Sequence, residues 1–523
     1  MNSPTPRTLR TALTDKSTNA FHRLLLGVGS SGMGQVISAA QAIFLVPLFL
    51  HAWGAEGYGR WLVLTALVSY FSMLDLGGQN YIGNLLAIDH ARGAMNEFRK
   101  RLSEGVSLFT FIALGVLGLL IAVLFGPWGL FFPDAANYLS TRERCIILFL
   151  ASNYLLSIPG GIYVSAYRAT GLFAHGAMLG NILRLINIVF FAAALFYTIS
   201  QLYFALLFLS MGVMGTTVIV WDSRQKISAC RQIRIGLAEA NSGIKYLRGA
   251  LQFWLMTLAG GFNQQGVLLV LAIFASPAIV SLYVTHRTAA GLVGYVGSLL
   301  QAPLWPEMSL LWAQNRREEL KKVVMSAIRI VMLVSGLAAL AMWALIPFLY
   351  PLWTGKQLQL QPVLFGIFLV QGILAAGWFT SGWSLLAANH HRMPARWSLA
   401  NGAATIMLAF LLAPKYGVLG VSLATLLGDV LCGLLVYPKL TGNMLNFSVL
   451  HIYKDMLLML LLLVPIIAVM AICGHFLHGW AYIVAFTTAT AVWCMLAIPF
   501  ALGHEIWRRF SSSGLLAWSK EAA

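Results

Sequence analysis

The chain has 523 residues, of which 59% are hydrophobic and only 10% are charged. A soluble globular chain carries roughly 25% charged residues, and no polar stretch here is long enough to house a separate soluble domain. The net charge of +17 would suggest nucleic acid as the partner of a soluble protein. In a membrane protein, Lys and Arg instead mark cytoplasmic loops, so we expect no nucleic-acid partner. The five cysteines form no CxxC pair and predict neither a disulfide nor a metal site.

Apolar runs of about 20 residues recur along the chain, and each is long enough to cross a bilayer as a helix. The sequence therefore predicts an all-α polytopic membrane protein with about 14 transmembrane helices. The first run is too long for a signal peptide and leads straight into further spans, which indicates an uncleaved first helix. In chain order, the predicted spans are 24–50, 61–87, 105–128, 145–166, 174–198, 202–221, 249–275, 278–312, 323–350, 363–388, 395–413, 417–437, 456–474 and 480–503.

The distribution of Lys and Arg tests the orientation of these spans, because cytoplasmic loops are enriched in both residues. With the N-terminus inside and strict alternation, 27 of the 34 Lys and Arg residues fall on the cytoplasmic side. The five on the outer side are Arg60, Arg142, Arg144, Lys356 and Lys415, and the two deep within spans are Arg184 and Arg287. This asymmetry predicts that both termini are cytoplasmic.

The spans also suggest an internal repeat, since spans 1–6 and 7–12 share a pattern of lengths on either side of a long basic loop. Six spans per half would give the two lobes the same orientation, related by an axis along the membrane normal. We expect the loop to be a solvated cytoplasmic connector, and the alternative is that it lies on the membrane surface. The predicted parts are a cytoplasmic N-terminal segment (1–23), an N-lobe (24–221), the basic linker (222–248), a C-lobe (249–440), spans 13 and 14 (441–505) and a cytoplasmic tail (506–523).

Polar residues recur at helical spacing in the first two spans of each half. Four such helices would line a polar cavity, while the alternative is a set of hydrogen bonds between packed helices. For the Ser and Thr residues we favour the hydrogen bonds. The polar sets are Ser31, Gln35 and Ser38 in span one; Thr65, Ser69, Ser72, Asp75 and Gln79 in span two; Asn263, Gln264 and Gln265 in span seven; and Tyr283, Arg287, Gly294 and Gln301 in span eight.

Ionisable residues within spans are costly and therefore mark candidate functional sites. Arg287 lies near the predicted midplane of span eight, where it cannot easily reach the membrane surface, so we favour a cavity around it. Arg184 has a similar depth. The alternative to a role in a cavity is that it forms a structural pair with Asp75 or Asp429. These two aspartates and Glu307, nearer the inner surface, are candidates for proton or ion coupling, because burial can bring a carboxylate close to neutrality.

The sequence contains no catalytic constellation, so we expect no enzymatic activity, no cofactor and no metal. His286, His390 and His391 have no metal-ligand partners at useful spacing. Glycine-rich phosphate motifs are absent, which argues against ATP hydrolysis by this chain. The short outer loops leave no room for the site of a polymerase or a glycosyltransferase.

Two motifs and the topology resemble a known family. Residues 47–61 read Pro-Leu-Phe-Leu-His-Ala-Trp-Gly-Ala-Glu-Gly-Tyr-Gly-Arg-Trp, which resembles the first outer turn of the polysaccharide-transport branch of the MOP flippase superfamily. Residues 73–77, Met-Leu-Asp-Leu-Gly, resemble a motif in span two of that branch. Tyr283 and Arg287 are similar to a Tyr/Arg pattern in its span eight. This branch contains the O-antigen and exopolysaccharide flippases.

The resemblance implies two six-helix lobes in a V shape, plus two extra C-terminal helices. It also implies translocation of an undecaprenyl-pyrophosphate-linked oligosaccharide from the cytoplasmic to the periplasmic leaflet, for O-antigen, capsule or exopolysaccharide synthesis. The lumen would be cationic, and the lipid tail would lie beside spans 13 and 14. The candidate lumen residues are Arg287, Arg184, Tyr283, Gln301, Gln35, Gln79 and Gln264.

The same resemblance implies a bacterial inner membrane location and contact with membrane lipids. It adds a polymerase and a chain-length regulator of the same pathway as candidate partners. Three alternatives stay open. A lipid II flippase would carry basic residues in span one, which has only Arg23 before it. A MATE-type antiporter would have about twelve spans and an acid in span one, which has none here. The third alternative is a non-transporting scaffold or enzyme of a synthesis complex, and the short outer loops and absent catalytic motifs argue against an enzyme.

Overall fold

The computed structural model describes residues 6–126, 139–301, 304–388, 390 and 392–465, together with residues 484, 487, 488, 490 and 491. Side chains are described from residue 29 onward, except at 252, 256, 305, 306 and 392. The C-terminal tail 506–523 lies outside the described residues, as do most of predicted spans 13 and 14.

The described residues are almost entirely helical and contain no strand. A 3₁₀ segment, Tyr70–Asp75, and two π-helical segments, Phe262–Gly266 and Asp429–Leu434, interrupt the α-helices. The α-helices are α1 Pro6–Ser69, α2 Gly78–Ala91, α3 Met95–Phe125, α4 Thr141–Ala169, α5 Phe173–Phe196, α6 Gln201–Lys226, α7 Ser228–Arg231, α8 Leu237–Gly243, α9 Lys245–Gly261, α10 Val267–Phe274, α11 Pro277–Gln301, α12 Leu304–Ala313, α13 Arg317–Trp353, α14 Pro362–Ala387, α15 Arg392–Gly428, α16 Tyr437–Met444 and α17 Val449–Leu461.

Within the described residues, nine segments are long and apolar enough to cross a membrane. Large apolar side chains such as Phe44, Leu119 and Val189 are exposed on them, as expected where hydrocarbon is the solvent. The prediction of an all-α polytopic membrane protein is confirmed. The nine segments are Gly29–Ala91, Met95–Phe125, Thr141–Ala169, Phe173–Phe196, Gln201–Lys226, Phe253–Phe274, Arg317–Trp353, Pro362–Ala387 and Met393–Met444.

Two of these segments bend at a glycine, and each bend lies at a boundary between two predicted spans. Gly54 has φ 67° within α1, and Gly417 has φ 55° within α15. Positive φ is a conformation that glycine adopts at little cost, so a continuous helix turns back on itself there. Helix α11 corresponds to the predicted eighth span and has 25 residues. It is less apolar than the nine segments above and is not one of them. The total of about 14 spans stays a prediction.

The bend at Gly54 is held by the motif residues around it. Phe49 stacks on Tyr58 with ring centroids 5.2 Å apart, and Trp53 Nε1 donates to Ile199 O at 2.8 Å. Gln201 Nε2 donates to Gly57 O, also at 2.8 Å. In this structure the motif therefore ties the bend within α1 to the start of α6.

The chain contacts divide into two compact units, Met1–Leu258 and Ala259–Ala523. Unit 1 has two apolar cores, built around Leu102 and around Phe204. The main core of unit 2 is built around Ile328. There, Arg329 Nε donates to Asp455 Oδ2 at 2.6 Å, which ties α17 to α13.

Residues 222–248 belong to unit 1 and differ from the expected solvated connector. Helix α8 packs so tightly on α3 that a Cβ at Gly243 would lie 2.8 Å from Glu104 O. Lys245 Nζ lies 3.0 Å from a carboxylate oxygen of Glu104, and the Tyr246 hydroxyl also donates to it. The buried carboxylate needs these partners, so the segment docks on the helix that carries it.

Candidate functional site

A polar cluster lies among the apolar helices of unit 2, and Arg287 is its basic member. Arg287, on α11, is half-buried, and its Nη1 donates to the backbone oxygen of Gln264 at 3.0 Å. Gln264 lies in the π-helical turn Phe262–Gly266. A π-turn inserts one residue into a helix and frees a carbonyl from the regular ladder. The turn therefore supplies an acceptor that orients the guanidinium.

Asp429 is the acidic member of this cluster. It begins the second π-helical segment. Its Oδ2 accepts from Gln371 Nε2 at 2.7 Å and its Oδ1 from Asn401 Nδ2 at 3.1 Å. The side-chain oxygens of these two amides accept hydrogen bonds in turn. Thr425 Oγ1 donates to Gln371 Oε1 at 3.3 Å, and Thr405 Oγ1 donates to Asn401 Oδ1 at 3.2 Å. Each carboxylate oxygen is thus held by an amide that a threonine in turn orients.

Arg287 and Asp429 interact electrostatically, although no ion pair within 4.0 Å joins them among the described residues. Separation of this kind leaves both groups able to respond to a ligand, because neither is neutralised by direct contact. An arginine presents five N–H donors, and the structure gives Arg287 one hydrogen bond to the backbone. The cluster thus brings a guanidinium and a carboxylate into one polar region without direct contact between them.

Tyr283 lies one turn before Arg287 on α11, as its spacing predicts. Its side chain is fully buried and meets the Phe368 ring edge-on, with centroids 5.3 Å apart. The Arg287 guanidinium lies beside its hydroxyl. Since no part of the ring is accessible, Tyr283 can position Arg287 but cannot itself line an open cavity.

Two other predicted residues of unit 2 are placed apart from the cluster. Gln301 is buried, and its Nε2 donates to Thr380 Oγ1 at 2.9 Å. That bond joins α11 to α14, as the packed-bundle interpretation predicts. Glu307 is exposed in the first turn of α12, within electrostatic range of Arg316, whereas the described partners of Asp429 are Gln371 and Asn401.

In unit 1, Arg184 contacts the polar stripe of α1. Its Nη1 donates to Gly34 O at 3.1 Å and to Ser38 Oγ. One turn earlier on α5, Asn181 Nδ2 donates to Ser30 O at 2.8 Å. The described contacts of Arg184 are thus with α1 and not with the aspartates considered from sequence. Gln35, on the same stripe, is exposed.

The prediction that the polar residues of span two share one helical face is wrong. The helix ends at Ser69 and continues as the 3₁₀ segment Tyr70–Asp75, after which Leu76 and Gly77 are left-handed. Asp75 Oδ1 accepts from Gly77 N at 3.0 Å, a bond that closes the turn. Gln79 lies beyond the break and packs on α4, where a Cβ at Gly161 would be 2.1 Å from its Cδ. The break separates residues that an unbroken helix would align.

The sequence missed Gln371, Asn401 and Thr425 as members of the unit 2 cluster. Each is a polar residue in an apolar run without a helical stripe, so no periodicity singled it out. A lone amide in an apolar span was the available signal, because such a group needs a partner in hydrocarbon. Among the described residues, no group of three or more His, Cys, Asp or Glu could hold a metal ion.

No protein-family model and no curated protein sequence matches this chain. Its fold is similar to that of the lipid II flippase MurJ in an inward closed conformation, with a TM-score of 0.65 at 15% identity over 91% of this chain and 98% of that one. An inward-facing multidrug resistance MATE family transporter of the MOP superfamily gives 0.58 at 14% identity over 79% and 96%. The MATE multidrug transporter DinF-BH gives 0.53 at 14% over 81% and 95%. The chain therefore has the fold of MOP-superfamily transporters.

Proposed function

We propose that this protein is a flippase of the bacterial inner membrane that moves an undecaprenyl-pyrophosphate-linked oligosaccharide from the cytoplasmic to the periplasmic leaflet by alternating access. The observation that carries this proposal is Arg287, a half-buried arginine within a membrane helix whose guanidinium is oriented by a backbone carbonyl. Arginine stays charged when partly buried, and its planar fork matches phosphate oxygens. The pyrophosphate is the part of the cargo that it would bind.

The extent of the structural similarity favours a lipid-linked cargo over a soluble drug. The match to the lipid II flippase covers 91% of this chain, whereas the matches to the two multidrug transporters cover 79% and 81%. The additional residues are consistent with the two C-terminal spans predicted here, beside which a lipid tail would lie. A polymerase and a chain-length regulator of the same pathway are the proposed partners.

Complementation tests the role of Arg287. A strain lacking this protein should accumulate lipid-linked oligosaccharide, and the wild-type protein should clear it. Arg287→Ala should lower the flipping rate at least about tenfold, because a charge-assisted hydrogen bond contributes roughly 1.5–3 kcal/mol. Arg287→Lys should retain part of the activity, since it keeps the charge but loses the fork.

Arg60→Ala is the matched control, because Arg60 is exposed and pairs with Glu56 at a turn. Membrane levels of every variant are measured in parallel by immunoblot. Full complementation by an Arg287→Ala protein present at wild-type level would remove the proposed role.

Coupling is proposed to act through Asp429, the carboxylate held by Gln371 and Asn401. In proteoliposomes, the wild-type rate should respond to an imposed pH gradient or membrane potential. Asp429→Asn, which cannot exchange a proton, should lose that response, and Glu307→Gln, at an exposed position, should keep it. A wild-type rate indifferent to both gradients would contradict coupling altogether.

A lipid II flippase is the second candidate, and the high coverage of MurJ favours it. The accumulated lipid in the deletion strain separates the two functions. Mass spectrometry of that lipid would show an oligosaccharide of a surface polymer under the first proposal and a peptide-bearing peptidoglycan precursor under the second.

A further inference from the structure

A cavity of about 850 Å³ opens in unit 1 at the polar end of α3. One wall is a single face of α3, which carries Arg99, Lys100 and Ser103. The opposite wall is the extended stretch before α8, which carries Arg234, and a face of α8 itself. The cavity therefore lies where a membrane helix emerges from its apolar stretch.

Three basic side chains line this cavity against two carboxylates, those of Glu104 and Glu239. Glu104 is taken by Lys245 at 3.0 Å. The carboxylate of Glu239 lies at the N-terminus of its own helix, where a Cβ at Gly236 would be 2.5 Å from Oε2. Among the described residues, Arg99, Lys100 and Arg234 form no ion pair.

The wall that carries Arg234 is fixed by hydrogen bonds to α3. The Arg234 amide donates to Ser103 Oγ at 3.3 Å, and Ser107 Oγ donates to Arg234 O at 3.2 Å. The Gly236 amide donates to Ser107 Oγ at 3.3 Å. On the other wall, the guanidinium of Arg99 donates to Asn96 and to Gln232. The Arg99 guanidinium is thus oriented by its hydrogen bonds, and the backbone that carries Arg234 is fixed against α3.

Large apolar side chains are exposed on the same short segment. Ile235, Leu237 and Ile244 are 53%, 72% and 53% exposed. Water would disfavour this exposure, whereas the headgroup–acyl boundary of a bilayer favours an element that offers both basic and apolar groups. The segment has the composition of an element that lies in the interface plane.

We propose that this cavity binds the phosphate headgroup of an anionic phospholipid, with Arg99, Lys100 and Arg234 around the phosphate and Ile235, Leu237 and Ile244 at the acyl boundary. The apolar residues select a lipid over free phosphate, because a soluble anion has no use for them. Basic residues near a membrane surface each contribute favourably to the binding of anionic lipid. This lipid is distinct from the transported cargo, and the proposal stands whichever cargo is moved.

The test uses the purified full-length protein in detergent, titrated with phosphatidylglycerol, phosphatidylcholine or inorganic phosphate. Bound lipid is counted by native mass spectrometry. The triple variant Arg99→Gln, Lys100→Gln, Arg234→Gln should bind phosphatidylglycerol at least about tenfold more weakly than wild type. The triple variant Arg142→Gln, Lys356→Gln, Lys415→Gln removes the same charge from exposed positions elsewhere and should bind as wild type does.

A second variant, Leu237→Ser with Ile244→Ser, separates the two sources of phosphate. It should weaken phosphatidylglycerol binding severalfold. Unchanged binding by this variant, together with displacement of the lipid by millimolar inorganic phosphate, would indicate a soluble-anion site and overturn the proposal. Wild-type affinity in the basic triple variant would overturn it too. If that variant does not fold, the single variant Lys100→Glu, at an exposed position, replaces it and should weaken phosphatidylglycerol binding severalfold. Unaltered affinity in the single variant would also overturn the proposal.

Discussion

Arg287 and Arg184 both lie within membrane helices, but their partners differ in kind. Arg184 donates to a carbonyl and a hydroxyl of α1, and such bonds join two helices whose polar groups would otherwise face hydrocarbon. Arg287 donates to a carbonyl in a π-turn and lies within electrostatic range of Asp429. At the scale of residues, Arg287 is therefore the stronger candidate for a ligand contact.

Asp75 provides a test at the same scale, because its carboxylate closes a turn in the structure. Asp75→Asn keeps the oxygen that accepts from Gly77 N and should retain both stability and flipping. Asp75→Ala removes the acceptor and should lower the free energy of unfolding by about 1 kcal/mol. Thermal unfolding in detergent and the complementation assay measure the two effects. A stable Asp75→Asn protein without flipping would instead assign the carboxylate a coupling role.

At the scale of elements, helix breaks decide which polar residues can meet. The sequence predicts turns between spans one and two and between spans eleven and twelve, and Gly54 and Gly417, which have positive φ, lie at these two boundaries. It did not place the break after Ser69, because the polar spacing through Asp75 and Gln79 also fits one helical face. The Asp75 carboxylate closes the turn at Leu76 and Gly77, and α9 packs closely against Gly77.

Gly77 allows that packing to be measured. Its φ is +74°, and an added Cβ would lie 2.6 Å from Ala250 O and 2.7 Å from Trp254 N. Gly93 has φ +71° with nothing within 4 Å of such a Cβ. Gly93→Ala should therefore lower the free energy of unfolding only by the cost of a left-handed alanine, roughly 1–2 kcal/mol. Gly77→Ala should lower the melting temperature further, since backbone atoms of α9 must move. Equal losses in the two variants would contradict the close approach.

At the scale of the whole molecule, the charge distribution predicts the orientation in the membrane. Lys356 and Arg316 are exposed at opposite ends of α13, and the topology places the first outside and the second inside. In a variant lacking the native cysteines, Lys356→Cys should react with an impermeant maleimide in intact cells. Arg316→Cys should react only after permeabilisation. The reverse pattern would invert the topology.

The sequence by itself determined the fold class, because apolar runs of span length leave no soluble alternative. It also singled out Arg287 and Asp429, since an ionisable group in hydrocarbon is too costly to be incidental. Only the tertiary structure decided which polar residues share a site. Asn401 and Gln371 are far from Asp429 in sequence and meet it through the packing of three elements, whereas Gln79 leaves the face of Asp75 because the helix breaks between them. Periodicity describes one helix at a time, and a site between helices depends on contacts that no single helix encodes.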